Sequence, residues 1–118
     1  MTIARILPLH VHGALEASLA LAMMAGAFML GLDSPALIAS FALGGLILTV
    51  ALATQADDER SLPTSTHHAF DLAFVIAMAG AAVAFAAVGN GAAGALLATG
   101  SLGLLLLISL TRWSSRQP

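Results

Sequence analysis

Four uninterrupted apolar stretches, roughly Leu9–Leu30, Pro35–Thr54, His67–Val88 and Gly91–Thr111, leave this chain few ways to fold. Each is close to the ~20 helical residues needed to cross the hydrocarbon core of a bilayer; strands and water-facing helices would break such runs at period 2 or 3.6. The polar residues are too few to cover a soluble protein, since 59% of the 118 residues are hydrophobic and 8% charged, with a mean hydropathy of +0.98. The expected architecture is all-α, a four-transmembrane-helix bundle forming a single integral membrane domain over residues 1–118.

Local signals mark the helix ends. Pro8 and Pro63 fall where a first-turn proline costs no hydrogen bond, Asp33-Ser34-Pro35 supplies a capping side chain, and Gly89-Asn90-Gly91 reads as a tight turn. The polar segment from Gln55 to Thr66, with Asp57-Asp58-Glu59-Arg60, reads as a solvated loop, because its acids lack the alternating spacing of a calcium loop. Gly26, Gly44, Gly45, Gly80, Ala84, Gly94, Gly100 and Gly103 are expected at close helix contacts, and Leu104-Leu105-Leu106-Leu107 is expected to face lipid.

A second pattern overlies the runs. Leu7-Pro8-x3-His12-x3-Glu16 and Leu62-Pro63-x3-His67-x3-Asp71 match at a constant offset of 55 residues, which also pairs Met23 with Met78. This predicts two tandem two-helix repeats, about 7–54 and 62–111. Two spans per repeat would insert both copies in the same direction, placing the halves in parallel orientation about an axis along the membrane normal. Arg5, Arg60, Arg112 and Arg116 all fall on one side of such a topology, which the positive-inside bias makes cytoplasmic. The chain thus reads as a multi-pass protein of the bacterial inner (plasma) membrane with both termini inside. Trp113, just past the last span, reads as an aromatic anchor at that interface. The first run continues through His10, His12 and Glu16, so it reads as a span and not as a cleaved signal peptide.

Helical spacing puts His12, Glu16 and Met23 on one stripe and His67, Asp71 and Met78 on another. A carboxylate facing hydrocarbon is expensive, so both stripes should turn inward and meet. Three functional readings follow, beside a structural one. A divalent metal ion, Zn, Fe or Mn, would take His12, Glu16, His67 and Asp71 as ligands, with His10 or His68 in reserve. The same carboxylates and imidazoles would suit coupling of protons to transport of a small solute. His12 and His67 alone would suit bis-His haem, although a carboxylate one turn from each ligand fits a metal ion better. Structurally, the four groups would serve as a helix-packing clamp in a small accessory subunit. Met23 and Met78 lie too far along their helices to join the site and read as core.

Other chemistry lacks its residues. There is no cysteine, no Lys, no phosphate-binding glycine loop and no Ser/His/Asp set, and Ser18 lies on a different helix face from Glu16; an enzyme is not expected. A formal net charge of -2 without a basic aromatic cluster excludes nucleic acid, leaving the lipid bilayer, and a homo-oligomer or accessory partner, as the expected surroundings. Residues Ala25-Gly26-Ala27-Phe28-Met29-Leu30-Gly31-Leu32 and Ala42-Leu43-Gly44-Gly45-Leu46-Ile47-Leu48 resemble the two-helix unit of small bacterial SPW-repeat membrane proteins, with Ala25 to Phe28 standing where the Ser-Pro-Trp signature would fall. The resemblance implies paired helices and no particular activity.

Overall fold

Inside a bilayer the backbone must pair its own polar groups, which a helix does within itself. The apolar runs accordingly form α1 (Leu9–Met29), α2 (Ser34–Gln55), α3 (Thr64–Ala87) and α4 (Gly91–Leu110) in a computed structural model that describes residues 6–55, 62–111 and 113. All four are long and apolar enough to cross a membrane. The acidic loop segment 57–60 and the four arginines that set the expected topology lie outside the described residues.

The prolines act one position earlier than expected. Pro8 and Pro63 are the N-cap residues of α1 and α3, and their carbonyls accept the first helical bonds, from the backbone N–H groups of His12 and His67, each at 3.0 Å. At the other end of the bundle the turns follow local rules. Gly31 and Gly89 take the positive φ values, 64° and 89°, that close α1 and α3. Asp33 then accepts from Ala36 N–H through Oδ1 at 3.2 Å, and Asn90 from Ala93 N–H at 3.1 Å, starting α2 and α4. The Asn90 amide also donates to Asp33 Oδ1 at 3.4 Å, joining the two turns.

The hairpins α1/α2 and α3/α4 pack so that α1 and α3 meet across the middle. His12 lies beside His67 near one end, and deeper in the bundle Met23 and Met78 both approach Gly100, so α1 and α3 run in the same direction. Gly44 and Gly94 mark the close backbone approaches. An added Cβ would lie 3.2 Å from the Ala20 carbonyl at Gly44 and 3.1 Å from the Ala82 carbonyl at Gly94. Gly45 and Gly80 face open space instead. Leu104 is also placed differently from the sequence expectation: it is fully buried, while Leu105 and Leu106 are exposed. In lipid, apolarity alone does not separate an inward leucine from an outward one.

The protein is apolar outside and polar at selected points inside. Phe28, Met29, Ile38, Ile76, Val83, Val88 and Leu102 are exposed, whereas His12, Glu16, His67, Asp71 and Thr111 have no exposed surface. Water would penalise that arrangement and hydrocarbon favours it.

Candidate metal centre

The four residues singled out by spacing meet in one place. From α1, His12 Nε2 lies 2.8 Å from Glu16 Oε2 and 2.9 Å from Asp71 Oδ2; from α3, His67 Nε2 lies 3.2 Å from Glu16 Oε2 and 3.0 Å from Asp71 Oδ2. Each imidazole thus reaches both acids, closing a ring of alternating nitrogen and oxygen atoms. Helical spacing provides the i, i+4 contacts within α1 and α3; the diagonal packing of the two helices provides the other two.

A hydroxyl outside this set fixes a proton. Thr111 Oγ1 donates to the carbonyl of Leu107, so its single hydrogen is committed, and His12 Nδ1–H donates to that oxygen at 2.6 Å. With Nδ1 carrying the hydrogen, the neutral His12 ring presents the bare lone pair of Nε2 to two carboxylate oxygens. Lone pairs facing one another in a dry interior need a positive charge between them, supplied either by a proton on Nε2 or by a metal ion. The remaining oxygens, Glu16 Oε1 and Asp71 Oδ1, are buried without a hydrogen-bond partner.

The dimensions suit a single ion. One ligand atom from each residue falls within a group no more than 4.8 Å across. Bonds of about 2.0–2.2 Å in a tetrahedral site separate neighbouring ligand atoms by about 3.3–3.6 Å, so the nitrogen–oxygen edges would widen by roughly half an ångström to admit one.

Trp113 covers the cluster. Its ring stands edge-to-face against His12 at 4.7 Å and His67 at 5.6 Å between centroids, and its Nε1–H donates to the Ile108 carbonyl at 3.1 Å. His68 packs on the same indole at 4.5 Å and not within the cluster, while His10 is exposed. Ser18 is exposed and donates to the Ala14 carbonyl at 2.9 Å. Met23 and Met78 belong to the apolar core.

Sequence reasoning did not bring Thr111 or Trp113 to the site. Thr111 ends the last apolar run with no motif around it and reaches His12 across 99 positions of chain; Trp113 carried a signal, a lone tryptophan at a span end, that reads equally well as an interface anchor. No family model, curated protein or solved structure matches this chain.

Proposed function

We propose that this is a small integral membrane protein that binds a divalent transition-metal cation within the bilayer through His12, Glu16, His67 and Asp71. The observation that carries the reading is the closed ring of two imidazole nitrogens and two carboxylate oxygens, fully buried, with His12 Nδ1–H already committed to Thr111. Two neutral imidazoles and two carboxylates sum to a charge of minus two, which one divalent ion neutralises. Mixed nitrogen and oxygen donors favour zinc, iron or manganese over calcium or magnesium.

A packing clamp of two imidazoliums and two carboxylates would also hold the helices together; it leaves Glu16 Oε1 and Asp71 Oδ1 buried and unpaired, at about 1–3 kcal/mol each, whereas a metal ion held by both oxygens of a carboxylate would engage them. Haem is disfavoured because Glu16 Oε2 and Asp71 Oδ2 stand between the two Nε2 atoms, where the macrocycle would lie. Four protein ligands closing on one ion suit binding more than catalysis, so we do not assign an enzymatic activity. Proton-coupled movement of a solute would use the same groups; the buried apolar residues Ala20, Phe74 and Leu104 on the inner side favour a held ion over a passing one. A plasma-membrane location, cytoplasmic termini and assembly into oligomers accompany this proposal. The likeness of residues 25–48 to SPW-repeat units supports the paired-helix build alone.

Metal analysis of detergent-purified protein tests the reading. Near-stoichiometric zinc, iron or manganese, lost in the His12→Ala/His67→Ala double variant and released on acidification as protons compete for the ligands, is the expected result. Metal-free protein that also refuses added Co²⁺ would refute it.

A further inference from the structure

Two side chains at the exit of α4 touch the ligand ring without belonging to it. Thr111 is fully buried and holds His12 Nδ1–H. Trp113, half-buried, lies against both ligand imidazoles and is backed by His68. The next residues inward on the two stripes, Ala20 and Phe74, are buried, as are Leu104 and Ile108 of α4; Val50 and Ala51 near the end of α2 are buried too. An ion entering from the interior side would have to part this packing. On the outward side, among the described residues, the Trp113 indole is the group that lies against both imidazoles.

We propose that Thr111 and Trp113 complete the cation site: Thr111 as the positioning residue that commits His12 to binding through Nε2, and Trp113 as the cover past which the ion enters and leaves. This rests on the cation-binding reading. Hydrogen-bonding the second nitrogen of a ligating imidazole orients the ring and raises its basicity, and loss of such a partner weakens metal affinity by about 10–100-fold. A cover acts differently: it slows entry and exit together and leaves the equilibrium nearly unchanged. The two residues should therefore separate cleanly, one in affinity and the other in rate.

The probe is Co²⁺ bound to the detergent-solubilised full chain, followed by its visible absorption and by the fluorescence of Trp113, the sole tryptophan. Thr111→Val should weaken Co²⁺ binding by about 10–100-fold, and Thr111→Ser, which restores the hydroxyl, should recover it. Trp113→Ala should speed removal of Co²⁺ by a chelator by about tenfold or more at little change in affinity, while Trp113→Phe stays near the wild-type rate. Wild-type affinity in Thr111→Val, or wild-type removal rate in a folded Trp113→Ala, overturns the corresponding role. If the wild type takes up no Co²⁺, the cation reading fails and Thr111's role with it. The cover is then decided without metal, by mass-spectrometric rates of diethyl pyrocarbonate modification at His12 and His67: faster modification in Trp113→Ala sustains it, and an unchanged rate removes it.

Discussion

The two ends of the bundle are built on opposite principles. At the turn end, Gly31 and Gly89 reverse the chain and Asp33 and Asn90 start the next helices through contacts three residues away. At the other end, the ring joins residues 51 and 59 positions apart in sequence, and Thr111 reaches it across 99. The first end is assembled by local rules and needs little from the rest of the fold. The second exists only when α1, α3 and α4 are already in place, and its groups are costly to bury singly. Damage at the two ends should therefore differ in size and in kind.

The largest effect is expected from Asp71→Ala, which removes one acid from the ring and leaves two imidazoles and Glu16 in a dry interior. Breaking a buried ionic set by removing one partner costs about 3–5 kcal/mol, so thermal unfolding in detergent, followed by circular dichroism, should shift far down together with loss of Co²⁺ binding. A small shift would mean that the ring contributes no more than the turns do. At the turn end, Gly89→Ala forces a side chain into the left-handed region at φ 89°, a cost of about 1–2 kcal/mol, with Co²⁺ affinity unchanged. Loss of metal in that variant would show that the ends are not independent.

Much of this contrast was legible beforehand. The four helices follow from the apolar runs, and their ends from Gly89, Asn90, Asp33 and the two prolines, because those signals act over one turn. His12, Glu16, His67 and Asp71 were legible because i, i+4 spacing and the cost of a lipid-facing carboxylate together leave an inward orientation. Thr111 was not, since a hydroxyl at the end of a span looks alike whether it bonds its own helix alone or His12 as well. Leu104, Gly45 and Gly80 defeated sequence reasoning for a related reason: neither leucine nor glycine declares, in an apolar solvent, which way it points.

Smaller substitutions sharpen the comparison. Asn90→Ala removes the cap on Ala93 N–H and the link to Asp33, and should cost about 1 kcal/mol in the same unfolding assay. Ser101→Ala deletes the bond from Ser101 Oγ to the Val75 carbonyl, 2.8 Å long and midway between the ends. Membrane interhelical hydrogen bonds average about 0.6 kcal/mol, so this variant should be the mildest of the four; a larger loss would place a third centre of stability in the middle of the bundle.

The pairing of Leu7 N–H with the Leu110 carbonyl, 2.9 Å, brings the segment entering α1 beside the chain leaving α4. The chain entering the first hairpin and the chain leaving the second thus lie within reach of a short join. A circular permutant that begins near residue 62, with a short linker joining the chain after Trp113 to Leu7, should rebuild the same four-helix unit.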